Sequence, residues 1–179
     1  YTEAFYSVGF RPGDIVQNAF NYQLTPAGLM FEEPLRNLGC SVIPAGPTEA
    51  STQLDIMQKL RVSGYVGTPS FLMHLAQKQD LFLEVAFVTG ERLSEKMRNQ
   101  LEKKFDIIMR QGYGTADVGC IGYECVHRTG LHIANRCYVE ICHPDTGIPL
   151  KDGEVGEIVV TSFNKTYPLI RLATGDLSY

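Results

Sequence analysis

Apolar and polar residues alternate through the first part of the chain in blocks that predict strands and helices in turn. Short apolar, partly β-branched runs predict strands, and they lie at 14–20, 41–44, 64–67, 84–88 and 107–109. Apolar residues at helical spacing predict helices between them, at 25–38, 54–60, 68–75 and 94–105. Proline after threonine at 25–26 and 68–69, and Ser94, are typical of helix starts.

This order of strands and helices predicts the fold class, α/β. Repeated β-α units through about residue 112 favour a mostly parallel sheet flanked by helices. Farther on, short β-like segments at 138–141 and 157–161 are separated by turns at 145–147 and 152–153, which predicts a smaller antiparallel or barrel-like part. Because no repeat or linker interrupts the chain, residues 1–179 are expected to form one continuous unit.

Composition narrows the class of protein. With 44% hydrophobic and 20% charged residues, the chain can bury one core and is not expected to be disordered. The formal charge is −4 and the basic residues are scattered, which argues against a nucleic-acid partner. No apolar run is long enough to cross a membrane and no signal segment opens the chain, so we expect a cytoplasmic protein without membrane association.

Ligand-type residues for zinc lie close together in the second part of the chain. Cys120, Cys125, His132 and Cys137 have the spacing Cys-x4-Cys-x6-His-x4-Cys, and His127 is an alternate for one of them. Thiolate and imidazole are the ligands that tetrahedral Zn²⁺ prefers, so a closed structural zinc site is one hypothesis. The other is that these cysteines are small buried hydrophobes and the histidines cap turns.

A glycine-rich segment follows the last predicted strand of the α/β part. In Gln111–Gly119 the glycines, Gly112 and Gly114 among them, allow a ligand to approach the backbone closely. Tyr113 is suited to lie against a flat base, and the carboxylate of Asp117 to hold Mg²⁺. The alternative is a plain loop at the end of a strand.

Two further segments also combine a glycine with a carboxylate. Thr89, Gly90, Glu91 and Arg92 come directly after a strand, where ligands of parallel sheets bind. In Thr174–Leu177 the carboxylate of Asp176, in a predicted tight turn, is suited to accept hydrogen bonds from both ribose hydroxyls. Each segment alone is also compatible with an ordinary turn.

Taken in this order, the three segments resemble those of adenylate-forming enzymes. The run from Gly13 through Gly46 resembles the phenylacetate-CoA ligase branch, and other matching segments strengthen the likeness, which covers almost the whole chain. Those segments are Phe20-Asn21-Tyr22, Gly67-Thr68-Pro69-Ser70 and Pro168-Leu169-Ile170-Arg171. The resemblance implies an acid-thiol ligase of aromatic acid catabolism. It would convert an aryl carboxylic acid and ATP into an acyl-adenylate, with Mg²⁺, and pass the acyl group to coenzyme A, releasing AMP.

The same resemblance implies residue roles. Tyr113 would contact adenine, Gly112, Gly114 and Thr115 would accompany it, and Asp117 would be the acid on the magnesium side. The chain departs from the family pattern at Ala116, where threonine is usual, and at Asp117, where glutamate is usual. Only Thr115 could then supply a hydroxyl to a phosphate.

The remaining implied roles lie elsewhere in the chain. Asp176 would bind ribose, and Thr89–Arg92 would form the adenine segment, with Arg92 in place of the usual proline. Phe20, Tyr22 and Phe71 are expected to line an apolar acid pocket, although aromatic residues also serve in ordinary cores.

The resemblance also implies that the chain is an internal part of the large N-terminal domain. The phosphate-binding loop of the family should precede Tyr1, and the lid domain with its catalytic lysine should follow Tyr179. We therefore expect this part to be inactive alone and, because a cut domain exposes apolar surface, to self-associate, for example as a homodimer. The rival hypothesis is a non-catalytic, zinc-stabilised module that binds a nucleotide or a partner.

Overall fold

The larger sheet combines a parallel part and an antiparallel part. The computed structural model describes residues 1–179. Seven strands form this sheet: β1 (Ile15–Asn18), β2 (Ser41–Pro44), β3 (Gly64–Gly67), β4 (Val85–Val88), β5 (Ile108–Thr115), β6 (Gly119–Tyr123) and β7 (His132–Ile133). Their order is β2-β1-β3-β4-β5-β6-β7. Strands β1 to β5 are parallel, whereas β6 and β7 run antiparallel. The predicted fold class is confirmed.

Five helices accompany the strands: α1 (Thr2–Val8), α2 (Ala27–Leu38), α3 (Ala50–Leu60), α4 (Pro69–Lys78) and α5 (Glu95–Phe105). The predicted starts are confirmed at two of them, because the hydroxyls of Thr68 and Ser94 accept hydrogen bonds from the first turns of α4 and α5. Helix α2 ends where Gly39 adopts a left-handed φ of 97°. None of the helices combines the length and apolarity needed to span a bilayer.

Helices cover both faces of the larger sheet. Residues of α1 and α2 pack with one set of strand side chains, which includes Val66 and Phe87. Residues of α3, α4 and α5 pack with the other set, which includes Tyr65 and Val88. Because successive strand residues point to opposite faces, neighbouring residues belong to different cores. The parallel strands are thereby buried on both faces.

A second, smaller sheet follows. It contains β8 (Cys137–Cys142), β9 (Gly156–Ser162) and β10 (Leu172–Ser178) in the antiparallel order β10-β9-β8. The predicted antiparallel part is therefore confirmed as an open three-stranded sheet.

Strand β5 changes partner halfway along its length. Residues 108–111 pair with β4 in parallel, and Gly112–Thr115 pair with β6 in antiparallel fashion. The glycine-rich segment is thus largely strand, so the alternative of a plain loop at the end of a strand does not hold. A turn at 116–118 then joins β5 to β6.

Candidate functional site

A cavity of about 420 Å³ opens at the carboxyl end of β4 and beside the middle of β5, where β5 leaves its parallel partner. Such strand ends are where parallel sheets bind ligands. Three segments that are far apart in sequence line it together, since the walls contain Thr89, Gly90, Glu91, Arg92, Gln111, Gly112, Tyr113, Gly114, Leu131, Ile158, Asp176, Leu177 and Ser178. The structure thus brings together the residues that were predicted on the adenine and ribose side, with the exception of Thr115.

The first wall is the segment Thr89–Arg92 after β4. Gly90 has a φ of 81°, which glycine adopts without strain, and the chain turns there. The Glu91 carboxylate accepts hydrogen bonds from the backbone N–H of Ser70 at 3.3 Å and from its hydroxyl at 2.8 Å. These bonds tie the wall to the first turn of α4.

The second wall is the middle of β5. A side chain at Gly112 would collide with the ring of Phe87, and one at Gly114 would collide with the carbonyl oxygen of Gly119. Only glycine fits at either position. These glycines therefore make room for the Phe87 ring and the Gly119 carbonyl group, and Tyr113 lies between them along the cavity wall.

Tyr113 links the second wall to Asp176. Its hydroxyl donates a hydrogen bond to Asp176 Oδ2 at 2.7 Å. Burial raises the pKa of the Tyr113 hydroxyl to about 12, and the hydrogen bond to Asp176 acts in the same direction, against an opposing contribution from Thr174. The phenol is therefore protonated at neutral pH.

Asp176 lies within β10, at an irregularity in its pairing with β9. Gly175 has a left-handed φ of 81° there, and its N–H donates to Glu157 Oε1 at 2.9 Å. Thr174 donates to the carbonyl oxygen of Ile158 at 2.9 Å. The prediction that Asp176 lies in a tight turn is wrong, because Asp176 lies in a strand with an irregular pairing.

Comparison with known proteins agrees with this arrangement. A family model described as AMP-binding enzyme matches residues 27–165. The chain belongs to the AMP-binding enzyme family.

Curated relatives of this chain are phenylacetate-coenzyme A ligases, which confirms the predicted resemblance. The protein of Thermus thermophilus is 32% identical over 97% of this chain and 42% of its own length. That of Pseudomonas putida is 29% identical over 96% of this chain and 42% of its own length. The chain thus spans less than half the length of these relatives.

Solved structures share the fold. A crystal structure of 2-hydroxyisobutyryl-CoA ligase in complex with 2-HIB-AMP and CoA has a TM-score of 0.89 at 22% identity, covering 99% of this chain and 45% of that chain. Apo MatB from Rhodopseudomonas palustris has a TM-score of 0.74 at 16% identity, covering 98% of this chain and 40% of that chain. At these identities the likeness concerns the architecture.

Thr115 and Asp117 do not line the large cavity. The Thr115 hydroxyl accepts a hydrogen bond from the N–H of Val118 at 3.2 Å, so its proton is still available to a ligand. Asp117 is exposed in the turn between β5 and β6. The predicted metal-side carboxylate therefore lies beyond the part of β5 that lines the cavity.

A smaller cavity of about 140 Å³ adjoins the large one. The two share Thr89, Gly90 and Gly114, and the small one is also lined by Tyr1, Phe20, Thr25, Pro26, Ala27, Met30, Phe31, Thr115 and Ala116. Of the three aromatics predicted to line an acid pocket, only Phe20 is among them. Tyr22 instead accepts a hydrogen bond from Asn18 at 2.8 Å, and Phe71 packs against the core under α4.

The predicted zinc ligands form two pairs. The buried thiol of Cys137 donates to backbone carbonyl oxygens, and it lies near Cys120, whose pKa is raised to about 11, chiefly by burial. Hydrogen bonds from the backbone of His127 and then from the side chain of His132 lower the pKa of Cys125. No group of three or more His, Cys, Asp or Glu side chains is placed to hold one metal ion. The structure therefore does not assemble the four-ligand arrangement of Cys120, Cys125, His132 and Cys137, with or without His127.

Several cavity residues were not predicted. Gln111 directly precedes Gly112. It follows the strand predicted at 107–109, and a position after a parallel strand could have indicated that it lines the cavity. Leu131, Ile158, Leu177 and Ser178 also line the cavity. Their positions depend on how β7, β9 and β10 come to lie near β5, and no local pattern carries that information.

Proposed function

We propose that this chain is the nucleotide- and acid-binding part of an ATP-dependent, AMP-forming ligase that joins an aryl carboxylic acid to coenzyme A. The observation that carries the proposal is the convergence of Thr89–Arg92, Gly112–Gly114 and Asp176 on one cavity. Membership of the AMP-binding family and the phenylacetate-coenzyme A ligases among its relatives support it.

The reaction has two steps. A carboxylate oxygen of the acid attacks the α-phosphorus of ATP and pyrophosphate leaves, which forms the acyl-adenylate. The coenzyme A thiol then loses its proton and attacks the acyl carbon, and AMP leaves. The first step needs the carboxylate in line with the leaving pyrophosphate, and the second needs the thiol within reach of the acyl carbon.

Each wall of the large cavity has a part in holding the nucleotide. The ring of Tyr113 offers a flat apolar face to adenine, and the backbone of Gly112 and Gly114 lines the cavity on either side of it. Asp176 can accept hydrogen bonds from ribose hydroxyls in addition to its bond from Tyr113, because a carboxylate has about four acceptor sites.

We assign the small cavity to the acid. It adjoins the nucleotide cavity through Thr89, Gly90 and Gly114, as the acyl part of an acyl-adenylate requires. Phe20 and Phe31 give it apolar aromatic walls, which suit an aryl acid.

Magnesium fits the chain at Asp117. The exposed carboxylate offers hard oxygen ligands, and the remaining ligands would be phosphate oxygens and water. The ion would neutralise charge on the phosphates. Asp117→Ala should leave AMP binding unchanged and weaken ATP binding only when Mg²⁺ is present, as measured by calorimetry. Equal loss with and without Mg²⁺ would contradict this assignment.

Calorimetric titration of the protein with AMP and with ATP tests the proposal. We expect AMP to bind the wild type and Asp176→Asn to weaken it about tenfold, because a neutral amide accepts ribose hydroxyls less strongly than a carboxylate. Asp152→Asn, an equivalent change in an exposed turn of the small sheet, is the matched control and should bind AMP like the wild type. Absence of AMP binding by the wild type would refute the proposal. Stoichiometric zinc in the same sample would then favour the binding-module hypothesis.

A further inference from the structure

A buried ion pair lies behind the nucleotide cavity. Arg98, in α5, donates to both carboxylate oxygens of Glu124, at 2.9 and 2.6 Å. Their residues are only 1% and 8% exposed. A third bond runs from Arg98 to the carbonyl oxygen of Met109 at 2.7 Å. Neither Arg98 nor Glu124 lines the cavity.

The pair reaches the cavity through Gln111. Glu124 Oε2 accepts a hydrogen bond from the Gln111 N–H at 2.7 Å, and the Glu124 N–H donates to the Gln111 carbonyl oxygen at 2.9 Å. The side-chain oxygen of Gln111 accepts from the N–H of Leu93 at 2.6 Å. Leu93 directly follows the Thr89–Arg92 wall. Gln111 is therefore bonded to both walls of the cavity, and Glu124 holds its backbone.

We propose that Glu124, fixed by Arg98, is a positioning residue that sets the spacing of the two nucleotide-binding walls through Gln111. This inference rests on the proposed nucleotide function. A carboxylate suits the role because its two oxygens accept three bonds here, two from Arg98 and one from Gln111. Loss of its charge leaves the buried Arg98 with only the exposed Glu95, which pairs with its Nε at 3.0 Å, so we expect the end of β6 to rearrange beside Gln111.

The chain offers a matched control on the same helix-strand interface. Glu102, also in α5, accepts bonds from two arginines, Arg110 at 3.4 Å and Arg128 at 3.0 Å, and from the N–H of Met109 at 3.2 Å. It has no bond to Gln111 or Leu93. Glu102→Gln therefore disturbs the same interface without touching the connection to the walls.

The test compares Glu124→Gln with Glu102→Gln by AMP calorimetry and by amide hydrogen exchange. Both variants should lose thermal stability. Only Glu124→Gln should weaken AMP binding, by about tenfold, the effect of misplacing about one polar contact. Only Glu124→Gln should speed exchange at the amides of Gln111 and Leu93, by about tenfold. If Glu124→Gln does not fold, Arg98→Lys, which cannot pair in the same two-pronged way, takes its place.

The outcomes separate the two proposals. Equal AMP affinity in wild type, Glu124→Gln and Glu102→Gln would overturn the positioning role while nucleotide binding stands. If the wild type binds no AMP, the proposed function fails, and hydrogen exchange still decides the positioning role. Exchange at Gln111 and Leu93 that rises equally in both variants would then reduce Glu124 to a general contributor to stability and overturn the inference.

Discussion

Tyr113 on β5 and Asp176 on β10 are joined by a hydrogen bond of 2.7 Å, so one side-chain contact connects the larger sheet to the smaller one at the rim of the cavity. Tyr113→Phe removes the bond and keeps the ring. We expect the free energy of unfolding to fall by about 0.5–1.5 kcal/mol, the usual net value of such a bond. Urea unfolding measures the change.

The control for this variant is Tyr167→Phe. Tyr167 is 59% exposed, and removal of its hydroxyl should leave the free energy of unfolding within about 0.5 kcal/mol of the wild type. If the two variants have the same stability, the bond between Tyr113 and Asp176 does not hold the sheets together in solution.

Alkaline pH should destabilise the protein through its buried tyrosines. Burial raises the pKa of Tyr1, Tyr65 and Tyr113, and the value for Tyr113 is about 12 against 10.0 for a free phenol. The folded state therefore holds these protons more tightly than the unfolded state. Their stabilising contribution is complete below about pH 10 and is lost as the pH rises through the folded-state values.

Urea unfolding at several pH values between about 8 and 11 checks this expectation. The free energy of unfolding should be flat at first and then fall. In Tyr65→Phe the fall should be shallower, because one buried titrating group, 0% exposed, has been removed. If the free energy of unfolding of Tyr65→Phe falls with pH as steeply as that of the wild type, groups other than Tyr65 cause the loss of stability at alkaline pH.

Gly112→Ala tests the packing of the second wall. The added methyl group would collide with the Phe87 ring, which is 0% exposed, so we expect a loss of about 1–3 kcal/mol in the free energy of unfolding. Thermal unfolding measures it. Phe87→Leu in the same chain should relieve part of the collision. If the double variant loses as much free energy of unfolding as the two single variants together, the collision with Phe87 is not the cause of the Gly112→Ala loss.

Ala27→Leu tests the assignment of the small cavity to the acid. Ala27 lines that cavity and not the large one, so the larger side chain should fill acyl space and spare the nucleotide. A nonhydrolysable phenylacetyl-adenylate analogue should bind about tenfold more weakly than to the wild type, because the steric clash costs more than the added apolar surface contributes. AMP affinity should not change. If the variant loses the same affinity for AMP as for the analogue, the acid does not bind in the small cavity.

Local sequence patterns were sufficient for most of the α/β part. Ser41–Pro44 and Gly64–Gly67 are strands with the predicted bounds. The apolar residues of α3 and α5 recur at helical spacing, and Ser94 caps α5 as expected. Helix α1 was missed, although Ala4, Phe5 and Val8 form its buried face. It has 7 residues, too few for a clear helical period.

Site residues were predictable where a motif alone determines their position. Asp176 and Tyr113 do meet at the cavity, but that Asp176 lies in a bulged strand depends on pairing with β9, which is remote in sequence. The spacing of Cys120 and Cys137 suggested shared ligation with Cys125. Their positions follow instead from packing, since Cys137 belongs to the core beside β8 and β9. Proximity in sequence does not determine side-chain direction.

Because β5 pairs with β4 in its first half and with β6 in its second half, the two halves of the site are held by different strands. The first half of β5 is fixed by the parallel strands, whereas the turn at 116–118 belongs only to the β5–β6 hairpin. The hairpin tip, with Ala116 and Asp117, can therefore be exchanged or lengthened without altering the register of the parallel core. Changes at this tip therefore leave in place the part of β5 that lines the large cavity.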